Sequence, residues 1–333
     1  MFSLKTDLNS NGSKTAYTSE LLNRETLFHD KHIASLIFNA HHKQNHVGTC
    51  LIIPVAPDEE EQDVALTVNS FKRFVQNAVV LFGVDEDYDN PWLGKYGSVV
   101  RVRGFGVGKA LNAAVIEALK DNCEFIVKAD SHNYFESFEY PLWLEIADHY
   151  TYEGTHWGAT TAEWPTMNWV FTWGEKPLIP QTAVPVHAYP SAVAQAMLRE
   201  FGCVYCVPYW GPELYDFTLT ACRRYGWCAR QGKWSVKHKH KSTWPTSRIN
   251  RQFPLEPWMS EVTGNPYFTS MEIAWQIYIA RHVREPTRHP KYNPRLFEIA
   301  KKYFGEAMRY VPGYSIEFIY EKLGFPIKQK INA

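Results

Sequence analysis

Short apolar runs alternate with amphipathic helical segments between residues 49 and 130, and this alternation most limits the folds open to the chain. The runs TCLIIPV, AVVLFGV and CEFIVKAD are rich in β-branched residues, as in strands buried on both faces, whereas SVVRVRG alternates like a half-exposed strand. The segments QDVALTVNSFKRFVQ and GKALNAAVIEALK each carry one apolar helical stripe. We therefore predict an α/β fold with a doubly wound, mostly parallel sheet that binds its ligand beyond the carboxyl ends of the strands.

Composition and charge exclude several classes of protein. The chain has 333 residues, of which 45% are hydrophobic, and 35 Lys and Arg balance 35 Asp and Glu. A disordered chain, a collagen-like repeat and a strongly basic nucleic-acid binder are excluded, and no nucleic-acid partner is expected. Because no signal-peptide pattern and no long apolar window occurs, we predict a cytoplasmic protein without a transmembrane segment.

The pattern divides the chain into three parts. Residues 1–46 read as a polar N-terminal leader packed on the main domain, residues 47–245 as the sheet domain, and residues 246–333 as a helical C-terminal extension. Within the sheet domain, SAVAQAMLREF and PELYDFTLTACRRYG are predicted helices, and PLIPQTAVPVHAYP is a predicted loop, with Pro177–Pro190 a candidate lid over the ligand.

Six cysteines lie among apolar neighbours, which is typical of reduced, buried thiols. Cys203 and Cys206 also form a C-x-x-C pair with two further cysteines downstream. A structural zinc site is therefore a second interpretation of these residues.

The strand EFIVKAD ends in Asp130 and is followed directly by Ser131 and His132, which places two metal-binding residue types, Asp130 and His132, at its carboxyl end. Side chains two apart in an extended segment point the same way, so both can reach one cation. A carboxylate and an imidazole suit Mn²⁺ better than Ca²⁺. The alternative is that Asp130 only caps a following element.

Two further segments suggest contact with an anion. The glycines of GVGKALNAAVIEAL precede a helix, whose first N–H groups attract negative charge, although such a start is also common in tight turns. The stretch from Arg223 to Arg251 holds nine Lys or Arg and no acid, and it contains His238 and His240. One interpretation of this basic stretch is that it faces a diphosphate and that one of its histidines binds a metal. The other is that it is a solvated basic face.

The segments VKADSH, YWGPELYDFTLTACRRYGW and SVKHKHK, in this order, resemble the GT-A glycosyltransferases, most of all the polypeptide N-acetylgalactosaminyltransferases. The resemblance spans residues 48–243 and implies the GT-A fold, which is Rossmann-like. It also implies a divalent metal, Mn²⁺ or Mg²⁺, bound by Asp130, His132 and His238, with His240 as the alternative third ligand.

The resemblance further implies transfer of a sugar from a UDP- or GDP-sugar, UDP being favoured, to an acceptor hydroxyl on an unknown glycan, protein or small molecule. Asp85, or else Asp87, would contact the nucleobase, Lys109 or basic residues of the stretch from Arg223 to Arg251 would neutralise the diphosphate, and Trp210 would contact the donor. Retention of configuration is favoured. In an inverting enzyme Glu213 or Asp216 would be the general base.

Some residues depart from the family pattern. Pro212 replaces a glycine and Tyr134 stands where the family has an acid. We expect neither the family's membrane anchor nor its lectin domain. A sugar-phosphate nucleotidyltransferase is disfavoured, because Pro54-Val55-Ala56-Pro57 and acids follow the first strand in place of a glycine-rich loop. A non-catalytic scaffold that binds nucleotide-sugar or zinc stays open.

Overall fold

Four parallel strands form one half of the main sheet, and they are the strands that the sequence predicts. The computed structural model describes residues 48–141, 144–147, 149–153, 161–163, 171–173, 176–179, 186–239 and 249–313, so the predicted leader lies outside it. The strands are β1 (Thr49–Val55), β2 (Val79–Val84), β3 (Ser98–Arg101) and β4 (Phe125–Lys128), in the order β3-β2-β1-β4. Apart from Pro54, β1 is buried throughout, whereas β3 is an edge strand and is more exposed than the half-exposed strand that its alternation predicts.

Two helices make the crossovers in this half. Helix α1 (Glu61–Lys72) connects β1 to β2, and α2 (Val107–Lys120) connects β3 to β4. The apolar stripe of α2 packs on β1, β2 and β3, where Leu111, Ala114 and Val115 are buried. Burial of each large aliphatic side chain contributes about 1.5–3 kcal/mol, which is why the stripe positions this helix.

The other half of the sheet is mixed rather than parallel. Its strands are β6 (Glu145–Ile146), β9 (Phe171–Trp173), β10 (Lys176–Ile179), β11 (His187–Pro190) and β12 (Ala229–Gln231), in the order β11-β6-β12-β10-β9. Strand β11 pairs antiparallel with β4. The loop prediction for PLIPQTAVPVHAYP is wrong at both ends, because β10 and β11 are strands, and its middle, residues 180–185, lies outside the described residues.

A second, four-stranded sheet starts at the carboxyl edge of β4. It comprises β5 (Asn133–Phe135), β7 (His149–Glu153), β8 (Thr161–Glu163) and β13 (Ser235–Lys239), in the order β5-β13-β7-β8. Strand β13 pairs antiparallel with β5, and His238 lies opposite Asn133. This register brings the far end of the sheet domain back to the tip of β4.

The later helices confirm the predicted helical patterns. They are α3 (Ser191–Phe201), α4 (Glu213–Tyr225), α5 (Pro266–His282) and α6 (Pro294–Phe304). Gly226 ends α4 at a φ of 77°, the left-handed conformation that glycine adopts without cost. The α/β class with a helical C-terminal extension is therefore confirmed, and in the described part of the chain no helix has the length and apolarity to cross a membrane.

The extension shares a hydrophobic core with the sheet domain. Trp258 and Ile273 of the extension are fully buried in one cluster with Phe105, Val207 and Leu219. Packing of this kind fixes the position of α4 relative to α5.

The six cysteines form three disulfides, so the interpretation as reduced thiols is wrong. The pairs are Cys50–Cys123, Cys203–Cys206 and Cys222–Cys228. Cys50 lies in β1 and Cys123 just before its neighbour β4, and the other pairs each close a short turn. The zinc interpretation falls with them, because a disulfide sulfur is no longer the thiolate that binds zinc.

Candidate functional site

Three carboxylates follow three neighbouring parallel strands at one edge of the main sheet. Glu59 follows β1, Asp85 follows β2 directly, and Asp130 follows β4. The carboxyl ends of parallel strands are where open α/β sheets bind ligands. This edge is therefore the candidate active site.

Asp130 is paired with a buried cation. The Lys128 side chain is 2% exposed, and its Nζ lies 2.5 Å from Asp130 Oδ1. Lysine is rarely buried without a partner, and the part-exposed Asp130 carboxylate offsets part of the cost of burying the Lys128 ammonium. Lys128 is thus a fixed positive charge at the tip of β4.

Glu213 begins α4 beside this pair. Its Oε2 accepts a hydrogen bond from the Gly211 N–H at 2.6 Å, and the side chain is buried. Burial raises the pKa of Glu213 to about 7, although the charge of Lys128 and the Gly211 N–H oppose that rise, and the nearby Asp130 charge adds to it. A carboxyl group that titrates near neutral pH is suited to proton transfer.

Two imidazoles meet at the same edge. His132 Nε2 lies 3.1 Å from His238 Nε2, although the residues are 106 positions apart. The β5–β13 register explains the contact, since His238 lies opposite Asn133, and the Lys239 N–H binds the His132 carbonyl at 3.0 Å.

Asn133 fixes the orientation of His238. The Asn133 side-chain amide donates to the Asp130 carbonyl at 2.8 Å, so its oxygen faces His238 Nδ1 at 3.0 Å. An amide oxygen only accepts hydrogen bonds, so in neutral His238 the proton is on Nδ1. The lone pair of His238 Nε2 therefore points at His132.

These residues fit a divalent cation in part. Two imidazole nitrogens suit Mn²⁺, Zn²⁺ or Co²⁺, and orientation of the imidazole by an outer hydrogen bond is usual for metal ligands. The third predicted ligand, Asp130, is held by Lys128. Over the described ranges no three His, Cys, Asp or Glu side chains gather as a metal site, and His240 lies outside those ranges.

Asp85, the predicted nucleobase contact, is bound by two groups of the protein. Its Oδ1 accepts from the Gly106 N–H at 2.9 Å, and its Oδ2 lies 2.9 Å from Arg251 Nη1. Burial raises the pKa of Asp85 even though the Arg251 charge lowers it. Arg251 also reaches Asp87, the second predicted base contact, with Nε 3.3 Å from Oδ2.

The predicted phosphate contacts at the start of α2 are occupied. Lys109 forms an ion pair with Glu256 of the extension, and the Gly108 N–H donates to the Pro208 carbonyl at 3.0 Å. Gly106 has a φ of 132°, and a Cβ there would lie 2.4 Å from the Pro208 oxygen. The glycines thus serve close packing of α2 on residues 207–208, which is the tight-turn alternative.

The other predicted residues divide between surface and core. Trp210 is 38% exposed and stacks on Tyr267 of the extension at 6.2 Å between ring centroids. Asp216 is fully buried and paired with Arg281 and His282. A carboxylate held in this way does not reach an acceptor, so of the two predicted acids of α4 Glu213 is the candidate for proton transfer.

The basic stretch is mostly paired within the protein. Lys237 pairs with Glu136 and Lys239 with Asp63, while Arg223 is buried against His282 and Tyr310. Residues 240–248 lie outside the described ranges. The pairs support the interpretation as a basic face neutralised by acids more than contact with a diphosphate.

Sequence reasoning missed five residues of this edge: Glu59, Lys128, Asn133, Arg251 and Glu256. Lys128 carried a signal, because it is the one charge inside the otherwise apolar run FIV-K-A. Arg251 lies 166 positions from its partner Asp85 and Glu256 lies 151 positions from its partner Phe105, and no local pattern encodes such pairings.

No family model and no curated protein matches the sequence. Solved structures that it resembles include S. aureus TarS in complex with UDP, at a TM-score of 0.39 and 14% identity over 78% of this chain and 72% of that chain. The mannosyltransferase PcManGT from Pyrobaculum calidifontis, in complex with GDP-Man and Mn²⁺, has a TM-score of 0.37 and 10% identity over 88% of this chain and 81% of that chain.

A third solved structure is the UTP-bound UGPase from Acinetobacter baumannii, at a TM-score of 0.27 and 9% identity over 59% of this chain and 87% of that chain. Scores and identities this low say nothing about activity.

Proposed function

We propose that the protein is a metal-dependent glycosyltransferase that moves a sugar from a nucleoside-diphosphate sugar, UDP-sugar being favoured, to an acceptor hydroxyl. The observation that carries the proposal is the pair of imidazoles, His132 and His238, whose Nε2 atoms lie 3.1 Å apart at the tip of β4. Beside them Lys128, Asp130 and Glu213 form one charged cluster. The GT-A resemblance predicts a donor's diphosphate at this position.

The chemistry requires stabilisation of a leaving group. Breaking the anomeric C–O bond leaves negative charge on the diphosphate, and a divalent cation supplies Lewis-acid stabilisation of that charge when bound. His132 and His238 would hold the cation, with Asp130 as third ligand once its oxygen leaves Lys128. Lys128 Nζ adds a positive charge that is already in place, at little reorganisation cost.

Glu213 serves the acceptor side of the reaction. We favour retention, in which the Glu213 carboxylate accepts hydrogen bonds from sugar hydroxyls and orients them. Its pKa of about 7 also suits a general base, which keeps the inverting mechanism as the alternative. NMR of the product anomer decides between them, since retention requires donor and product to share the same anomeric configuration.

A thermal-shift screen of UDP- and GDP-sugars with and without Mn²⁺ tests the function. A ligand that binds only the folded state raises the Tm by mass action. We expect a shift that requires both nucleotide and cation, and that is lost in His132→Ala and His238→Ala but kept in the control His289→Ala, a part-buried histidine of the extension that stacks on Trp275. A Tm shift with nucleotide that is the same with and without Mn²⁺ and in both variants, together with no detectable sugar transfer, would favour the non-catalytic scaffold.

A further inference from the structure

A buried carboxylate lies behind one of the two imidazoles, on the side away from the other. Glu59 Oε2 is 3.7 Å from His132 Nδ1, while His132 Nε2 faces His238. The Glu59 side chain is 3% exposed, so solvent screens this contact little. The two ring nitrogens point in different directions, so Glu59 cannot share a cation with His132 Nε2.

The hydrogen bonds determine where the His132 proton lies without a cation. Because the His238 Nε2 lone pair points at His132, His132 Nε2 carries the proton that fills the 3.1 Å contact. His132 Nδ1 then accepts from the Ser131 hydroxyl at 3.2 Å. In this tautomer His132 is a donor toward His238 and has no lone pair for a metal at Nε2.

A cation between the imidazoles requires the other tautomer of His132. Nε2 must give up its proton to become a ligand, and in neutral imidazole the proton then sits on Nδ1. An Nδ1–H needs an acceptor: Ser131 Oγ lies at 3.2 Å from that nitrogen, and Glu59 Oε2 lies at an ion-pair distance of 3.7 Å, from which a small side-chain shift forms the hydrogen bond. His238 already has the equivalent arrangement, with Asn133 at its Nδ1.

We infer that Glu59 is a positioning residue for the metal site: it stabilises the Nδ1–H tautomer of His132, so that Nε2 of His132 and Nε2 of His238 both face one divalent cation. This inference rests on the proposed function, because it assumes that the imidazole pair binds a cation. It assigns this role to Glu59, the buried member of the acidic run Asp58-Glu59-Glu60-Glu61. Outer partners of this kind are usually worth about 10–100-fold in metal affinity.

Titration with Co²⁺ alone, followed by visible absorption, tests the inference without donor or acceptor. We expect Glu59→Gln to weaken Co²⁺ binding by about 10–100-fold, because an amide is a poorer acceptor for Nδ1–H than a carboxylate. Glu60→Gln is the matched control, since Glu60 is the exposed neighbour in the same loop, and it should bind Co²⁺ like the wild type. Far-UV circular dichroism and Tm without metal check that both variants fold.

A second readout needs no variant. ¹⁵N-resolved NMR of the histidine rings should show His132 protonated at Nε2 without metal and at Nδ1 with Zn²⁺, while His238 keeps Nδ1–H in both states. Unchanged Co²⁺ affinity in Glu59→Gln, or a His132 tautomer that Zn²⁺ leaves unaltered, overturns the inference about Glu59. If His238→Ala still abolishes Co²⁺ binding, that result leaves the proposed metal site and the proposed function intact. Absence of Co²⁺ binding in the wild type overturns the metal-dependent function as well.

Discussion

Arg281 and Asp216 form an ion pair, 2.5 Å from Nε to Oδ1, in which both side chains are fully buried. Asp216 lies one turn after Glu213 in α4, and Arg281 lies near the end of α5. Arg281 also donates to the Ala307 carbonyl and to Thr220 Oγ1. The pair therefore ties the helix that carries Glu213 to the C-terminal extension.

Removal of one partner of this pair should destabilise the protein strongly. We expect Asp216→Asn to lower the free energy of unfolding by about 3–5 kcal/mol, because the Arg281 charge stays buried without its carboxylate. The double variant Asp216→Leu, Arg281→Met should recover part of the loss. Guanidinium denaturation measures both, with Glu117→Gln, which breaks an exposed pair with Lys120, as a control expected to cost under about 1 kcal/mol. An equally small loss in Asp216→Asn would contradict the prediction.

Glu213 should affect stability and turnover in opposite directions. Its raised pKa means that the folded state binds a proton more tightly, so the associated stability is complete below the unfolded pKa of about 4.3 and is lost as pH rises through about 7. Glu213→Gln, which never ionises, should therefore raise the free energy of unfolding at pH 8 by roughly 3 kcal/mol. At pH 5 it should have little effect.

The same substitution should lower kcat by about 10²-fold and remove a fall in rate below pH 7, because the ionised form is the hydrogen-bond acceptor or base. Measured pH–rate and pH–stability profiles check the two halves separately. If Glu213→Gln retains full turnover, Glu213 has no part in the reaction.

Arg251 should compete with the nucleobase for Asp85. The Arg251 guanidinium belongs to the extension and donates hydrogen bonds to Asp85 and Asp87. Its Cζ lies 4.9 Å from the centroid of the Phe253 ring. A base that binds Asp85 must displace hydrogen bonds worth about 1.5–3 kcal/mol, so Arg251→Gln should bind UDP roughly tenfold more tightly by calorimetry. Arg288→Gln, an exposed pair partner of Glu285, serves as control. Weaker UDP binding in Arg251→Gln would instead mean that Arg251 itself contacts the nucleotide.

The cysteines should contain no free thiol. Thiol titration in guanidinium is expected to detect none until a reductant is added, after which all six react. Loss of Cys50–Cys123, which links residues 73 apart, should cost about 2–4 kcal/mol in the variant Cys50→Ala, Cys123→Ala. Free thiols in the native chain would restore the reduced interpretation. Disulfides are typical of oxidising compartments, and they weigh against the cytoplasmic location that the sequence predicts.

The parallel half of the fold could be predicted because its signals are local. The continuous apolar runs of β1, β2 and β4 and the apolar helical stripes of α1 and α2 each lie within a single segment of the sequence. Strands β10 and β11 cannot be predicted from their own residues, because Pro177, Pro185 and Pro190 are typical of loops. Pairing of β10 with β9 and of β11 with β4 outweighs that local preference.

The site was predictable to a smaller extent. The family resemblance associates His132 with His238, and the β5–β13 register brings them together. The pairs of Lys109 with Glu256 and of Asp85 with Arg251 could not be predicted, because they depend on how the extension folds back on the sheet. Cysteine pairing likewise depends on which strands become neighbours, which spacing does not reveal.

Phe105, Val207 and Leu219 sit in one cluster with Trp258 and Ile273, and this has a practical consequence for anyone who shortens the chain. Truncation after residue 245 would remove Trp258 and Ile273 and leave an exposed hydrophobic patch next to α4. Such a fragment should precipitate rather than refold, and a shortened chain that keeps this core has to reach at least residue 311, where Val311 is still fully buried.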